Sequence, residues 1–130
     1  VRSPTNIAVI KYWGKTPNWT DEHIPTKSSV SFTVRGLYTD TQLESIKNGN
    51  GKIHLTLNGR IFDENTKEHS RVVEFLNKIS VFYPMAKSYD YHITSVNNFP
   101  TAAGFASSAS GFAALGRAIN DEINLGLDEK

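Results

Sequence analysis

The sequence predicts an α+β domain. Three observations carry that expectation. Runs alternating between apolar and polar residues fill much of the first half, Asn58-Gly59 sits between two of them, and two later stretches repeat apolar residues at helical spacing.

The elements follow in order. Ile7, Ala8, Val9 and Ile10 make a short continuous apolar run, the pattern of a buried strand. Thr16 to Ile24 carries Pro17, Asn18, Thr20 and Asp21 and reads as a loop. Another strand begins within Pro25 to Val34, with Val30, Phe32 and Val34 on one face and Ser29, Ser31 and Thr33 on the other. The hydroxyl-bearing face suits either a polar ligand cavity or the exposed side of an antiparallel sheet. Leu37 to Ser45 reads as a further strand of a meander, and Asn48-Gly49-Asn50-Gly51 as a turn. Ile53, Leu55 and Leu57 alternate with Lys52, His54 and Thr56, and Asn58-Gly59 turns the chain back through Arg60-Ile61-Phe62.

A helix starts at about Thr66, capped by Asn65 or Thr66. Val72, Leu76, Ile79 and Tyr83 form its apolar stripe, widened by Val73 and Phe82, and Tyr83-Pro84 ends it. Lys67, Glu68, Arg71, Glu74 and Lys78 fall off that stripe and read as a solvated face. Tyr89, Tyr91, Ile93 and Ser95 alternate with Asp90, His92, Thr94 and Val96 as a strand. Phe105, Ala109, Phe112, Gly116 and Ile119 then mark a second helix, with Gly126 as its C-cap.

Composition narrows the function classes. A length of 130 residues fits one domain or part of one, and 38% hydrophobic and 11% aromatic content suffices for a core. Fourteen basic against 13 acidic residues give a net charge of +1, which argues against a nucleic-acid platform. The absence of cysteine excludes disulfides, thiolate catalysis and Cys-ligated zinc within these residues. His23, His54, His69 and His92 lack metal-ligand spacing and read as structural or exposed. No apolar run approaches the roughly 20 residues of a membrane helix, so a cytoplasmic protein without a membrane partner is the expectation. The chain opens at Val1 on a strand-like run and stops just past a helix, as a segment of a longer chain would.

The candidate chemistry lies in two stretches. One is Asn97-Asn98-Phe99-Pro100-Thr101-Ala102-Ala103-Gly104-Phe105-Ala106-Ser107-Ser108-Ala109-Ser110-Gly111, between a strand and a helix. A helix start offers free N–H groups and the positive end of the dipole to an anion. Gly104 lets backbone approach a phosphate, and Ser107, Ser108 and Ser110 add hydroxyls for phosphate oxygens or a magnesium ion. The same residues also fit a serine-capped helix chosen for tight packing, and no Gly-Lys-Ser/Thr follows. The other stretch is Lys11-Tyr12-Trp13-Gly14-Lys15, whose two lysines, hydroxyl and glycine suit an anionic ligand or simply an aromatic strand end with solvated lysines.

Taken together the two stretches are more specific. Asn6 to Lys15 resembles the N-terminal signature of mevalonate diphosphate decarboxylases. Asn97 to Leu115 resembles that family's version of the phosphate loop of galactokinase-, homoserine kinase- and mevalonate kinase-like enzymes. Pro25 to Ser31 is similar to a short family motif between them. The resemblance implies a ribosomal-protein-S5-like fold, with residues 1–130 an incomplete N-terminal domain that binds ATP and substrate and a second domain downstream. It implies ATP-dependent decarboxylation of 5-diphosphomevalonate, with ATP and magnesium required. Of the assigned residues, it implies Lys11 as catalytic, and Tyr12, Trp13, Gly14, Lys15 and Lys67 as substrate-binding, with Arg71 the rival of Lys67. It implies Ala103, Gly104, Phe105, Ala106, Ser107 and Ser108 as ATP-binding, with Ser107 or Ser108 reaching magnesium, and Ser29 and Ser31 facing the cavity. The family's aspartate near the 3-hydroxyl belongs later in the chain, and Asp21, Asp40, Asp63 and Asp90 sit in no matching motif, so this segment alone is expected to be inactive. The resemblance leaves open a 5-phosphomevalonate decarboxylase or a mevalonate-type kinase, and a homodimer as one assembly. An S5-like module that binds RNA or a protein partner is the alternative of another class, and the charge balance speaks against RNA.

Overall fold

Strand β5 (Tyr89–Asn97) is the element on which the others assemble. The computed structural model describes residues 1–10, 28–100 and 107–127. Around β5 lie β1 (Arg2–Ile10), β2 (Val30–Lys47), β3 (Ile53–Leu57) and β4 (Arg60–Phe62), in the order β1-β2-β5-β3-β4. β5 pairs antiparallel with β2, from Thr39↔Asn97 to Lys47↔Tyr89, and parallel with β3, from Ile53↔Tyr91 to Leu57↔Ser95. Parallel neighbours need a crossover. Here β4, α1 (Lys67–Phe82) and a 3₁₀ turn at Pro84–Ser88 supply it. α2 (Ser107–Ile123) closes the described chain, and the α+β expectation holds.

One face of the sheet is covered. Tyr91, Ile93 and Ser95 of β5 are buried while His92, Thr94 and Val96 are exposed. The core joins Ile53, Leu55, Tyr91 and Ile93 of the sheet to Val72 and Leu76 of α1 and Leu115, Ile119 and Ile123 of α2. The Tyr91 hydroxyl donates to the Ala86 carbonyl at 2.5 Å, and burial, with Tyr89 nearby, pushes its pKa up to about 12. The uncovered face carries the stacked rings of His54 and His92, centroids 4.5 Å apart.

Several expectations are corrected. The apolar run at Ile7–Ile10 lies on an edge strand, and Ile7 and Val9 are 39% and 60% exposed rather than buried. The two strands expected within Pro25 to Ser45 are one 18-residue strand. A bulge conceals this in the pattern: Pro4 pairs with Tyr38 and Thr5 with Val34, so Arg35-Gly36-Leu37 is extra and the alternation shifts across it. Gly36, at φ 91°, takes the left-handed conformation that the bulge needs. In α1 the buried positions are His69, Val72, Leu76 and Ser80, whereas Phe82 is 80% exposed. Two positions beyond Ser80 lie about 200° around a helix, on the opposite side. His69 donates through Nε2 to the Ile53 carbonyl at 3.0 Å, since a carbonyl only accepts. In α2, Ala109 is exposed instead of joining the stripe. That helix ends at Asn124, not Gly126: Asn124 is left-handed (φ 52°) and Leu125 N–H returns to the Asn120 carbonyl, a Schellman closure.

Other local expectations hold. Thr66 is the N-cap of α1 and accepts from His69 N. Asn58 and Gly59 are both left-handed, as a tight hairpin turn requires. The Asn48–Gly51 turn is latched by Asp90, whose carboxylate accepts from the amides of Asn50 and Lys52, both at 2.9 Å. These bonds hold the Asp90 pKa below the ordinary carboxylate value.

Three predictions follow from packing. A Cβ at Gly49 would run into the Asp90 backbone nitrogen, so Gly49→Ala should cost about 2 kcal/mol in denaturant unfolding. The Asp90 latch has a sign in pH: its folded pKa is depressed, so its contribution is present above the unfolded value and lost as pH falls through the folded one. Asp90→Ala should therefore flatten the acid limb of a stability profile. Thr5 is fully buried and its Oγ1 has no hydrogen-bond partner among the described residues. Thr5→Val, an isostere without the hydroxyl, should leave the melting temperature unchanged or raise it, and a loss of about 1 kcal/mol or more would reveal a partner for that oxygen.

Candidate nucleotide and substrate site

The end of β5 and the start of α2 are held against β2 by polar groups. Thr39 Oγ1 donates to Asn97 Oδ1 at 2.7 Å. That hydroxyl has one proton, so in its 2.8 Å bond with buried Ser110 the serine is the donor. Asn97 N–H donates to Asn58 Oδ1 at 2.8 Å, which ties the strand end to the β3–β4 turn. Asn98 completes the clamp: its Oδ1 accepts from Tyr38 N at 2.7 Å and its Nδ2 donates to the Gly36 carbonyl at 2.6 Å. Strand and helix thus occur in the order expected, with residues 101–106 between them outside the described part.

Beneath this junction both helices leave a cavity of about 520 Å³ against the sheet. Leu55, Leu57, Ile93 and Leu115 give it an apolar floor. Its hydroxyls are already engaged: Thr41 and Ser95 bond each other at 2.9 Å, and Thr39 bonds Asn97 and Ser110. Charge is confined to exposed lining residues at the mouth, Arg60, Glu68 and Arg71. The Arg71 guanidinium lies 5.6 Å from the Phe112 ring centre and that of Arg60 5.3 Å from Phe62. The volume is that of a small-molecule pocket, and an apolar floor with guanidinium groups at the rim suits a flat ring bearing an anionic tail.

The residues assigned from sequence divide into groups. Lys11, Tyr12, Trp13, Gly14 and Lys15 lie outside the described residues, as do Ala103, Gly104, Phe105 and Ala106. Ser107 and Ser108 are the first residues of α2, with their side chains outside the description. Lys67 is the exposed first residue of α1 and does not line the cavity, whereas Arg71, one turn later, does. Ser29 and Ser31 are exposed and do not line it either, a correction that follows from the place of Ser31 in β2 before the bulge and of Ser29 just ahead of that strand. Sequence reasoning missed Arg60 and Glu68 as cavity residues and named Arg71 only as the rival of Lys67. Their signal was weak, since Glu68 and Arg71 flank the α1 stripe by one position each, beside His69 and Val72.

The described aspartates are occupied structurally. Asp40 takes a two-pronged bond from Arg2 at 2.8 and 2.7 Å, and Arg2 lies 3.7 Å over the Tyr38 ring. That partner holds the Asp40 carboxyl below its ordinary range. Asp63 accepts from Asn65 N at the entrance to α1, Asp90 latches the turn, and Asp121 pairs with Arg117. Among the described residues no three His, Cys, Asp or Glu side chains gather as a metal site, and no helix is long and apolar enough to cross a membrane.

Comparisons with known proteins agree with this architecture. The family described as the diphosphomevalonate decarboxylase-like N-terminal domain matches residues 3–130. The diphosphomevalonate decarboxylase of Candida albicans is 41% identical over 130 residues, covering 92% of this chain and 34% of the relative. Mevalonate diphosphate decarboxylase from Staphylococcus aureus superposes with a TM-score of 0.82 at 34% identity, over 98% of this chain and 36% of that one. MDDEF in complex with MVAPP, AMPPCP and magnesium gives a TM-score of 0.78 at 38% identity, over 98% and 37%. The chain therefore spans about a third of the length of the relatives it matches. With strand, helix and family match in agreement, the chain belongs to the diphosphomevalonate decarboxylase-like N-terminal domain family.

Proposed function

We propose that this chain is the nucleotide-holding part of a cytoplasmic ATP-dependent decarboxylase acting on 5-diphosphomevalonate. The observation that carries the reading is the cavity of about 520 Å³ that opens beside the first turns of α2, where Gly111, Phe112 and Leu115 meet Asn97 at the end of β5. A base would enter that cavity, and the triphosphate would run toward the helix start. The relatives named for this activity, one of them solved with MVAPP, AMPPCP and magnesium, support the choice of substrates.

On this reading Ala103 to Ala106 and the α2 start present backbone N–H groups to the phosphates. Lys11 and Lys15 offset charge on the transferring phosphoryl group, the main requirement of phosphoryl transfer. Tyr12, Trp13 and Gly14 line the substrate, and Lys67 meets its distal phosphate. Magnesium, reached by a hydroxyl of Ser107 or Ser108, would supply further charge neutralisation at the phosphates. The reaction balances in two steps. The γ-phosphoryl of ATP passes to the tertiary 3-hydroxyl and ADP leaves. The C3–O bond then breaks, with phosphate taking the electron pair. The bond to the carboxyl carbon breaks with it, carbon dioxide departs, and those electrons form the alkene of isopentenyl diphosphate. Phosphorylation is needed because hydroxide is a poor leaving group and phosphate a good one. On this reading the aspartate near the 3-hydroxyl belongs to the part of the relatives' length that this chain does not cover.

The test uses the product of the whole reading frame with ATP, magnesium and each phosphorylated mevalonate separately. ADP and carbon dioxide are expected in equal amounts, with 5-diphosphomevalonate the preferred substrate. ADP without carbon dioxide would make the protein a kinase, and preference for 5-phosphomevalonate would move the activity to the monophosphate.

A further inference from the structure

We propose that His54 and His92 together chelate a divalent transition-metal ion on the uncovered face of the sheet. The pair lies on the side opposite the helices and the cavity, and the inference stands independently of the nucleotide reading.

Sequence spacing hides this pair, because its members come from different strands. β3 and β5 run parallel and in register, with His54 directly opposite His92. Neighbouring strands lie about 4.8 Å apart, so register partners on one face can reach one ion. The two rings are stacked, with centroids 4.5 Å apart and planes 26° from parallel. Their backbones are anchored from behind by the buried neighbours Ile53, Leu55, Tyr91 and Ile93. Both side chains are exposed, so the rings are free to turn and bring one nitrogen each to about 2.1 Å from a shared metal.

Both imidazoles are available for that role. Among the described residues no hydrogen bond or ion pair engages either ring. By contrast, Nε2 of His69 is committed to the Ile53 carbonyl at 3.0 Å. The surrounding charge favours a cation. Glu44 is the β2 partner of His92, and Asp90 precedes His92 by two positions on the same face, while Lys52 holds the equivalent place before His54. Two carboxylates thus stand near the pair against one ammonium. Among the described residues no set of three His, Cys, Asp or Glu side chains converges, so the site is two imidazoles with water in the remaining positions.

The ligand type selects the metal. Imidazole nitrogen suits copper, nickel and zinc, with copper held most tightly, whereas magnesium demands oxygen ligands. Only folding brings these two strands together. The ion therefore binds the folded chain in preference to the unfolded one and raises its melting temperature.

The experiment titrates copper, zinc and magnesium calorimetrically into the untagged full-length protein, His54→Gln, His92→Gln and the double variant. One equivalent of copper, and more weakly of zinc, should disappear in either single variant. The double variant should lose no more than one single variant does, because both rings serve the same ion. Magnesium uptake should be equal in all four proteins. Zinc should raise the melting temperature of the unmodified protein and not that of the variants, and metal-free melts verify that the variants fold. Retention of the copper equivalent in either single variant would overturn the inference. Losses that add in the double variant would overturn it as well, since the rings would then be separate surface imidazoles.

Discussion

Three hydrogen-bonded side chains, Ser110, Thr39 and Asn97, fix where α2 begins. They come from a helix, from β2 and from β5, and Thr39 and Ser110 are buried. Buried polar groups of this kind tolerate few alternative arrangements, because any shift of α2 leaves a donor or acceptor without a partner in a place water does not reach. The position of the helix start is the property on which the rest of the site depends. It sets the direction of the free N–H groups of the first turn.

The same constraint explains the cavity. β3 and β5 run parallel, so the chain between them must cross one face of the sheet, and α1 makes that crossing. α2 returns over the same face, against β2 and β1. The two helices leave space unfilled over Leu55, Ile93 and Ser95, and the cavity lies there. Its polar wall of threonine and serine is paired internally, so the sheet side supplies shape while the charged side chains of β4 and α1 supply recognition.

Several charged groups among the described residues serve structure. Arg2 holds Asp40, Asp90 holds a turn, Asp63 meets the entrance to α1, and Glu74, Lys78, Arg117 and Asp121 form exposed pairs one helical turn apart. Surface pairs of that kind contribute little to stability. Arg60 and Arg71, which have no carboxylate partner among the described residues, differ from the other unpaired cations in lining the apolar cavity.

Much of the fold was legible in the sequence because its determinants are local. Alternation in Tyr89–Val96, the Asn58-Gly59 turn, the Thr66 cap and the Tyr83-Pro84 stop each act over a few residues, and each appears in the structure. The family was legible too, from Asn6 to Lys15 and Asn97 to Leu115. Register and pairing were not. The bulge at Arg35-Gly36-Leu37 joins two apparent strands into one, and only its pairing with Pro4 and Thr5 reveals it. The edge position of β1 leaves Ile7 and Val9 exposed despite an apolar run, because burial depends on which neighbours a strand acquires. Sequence spacing placed Glu68 and Arg71 on a solvated face of α1. The tertiary structure put them at a cavity mouth, since helical periodicity gives the direction of a side chain around its own axis but not what another helix and a sheet leave open beside it.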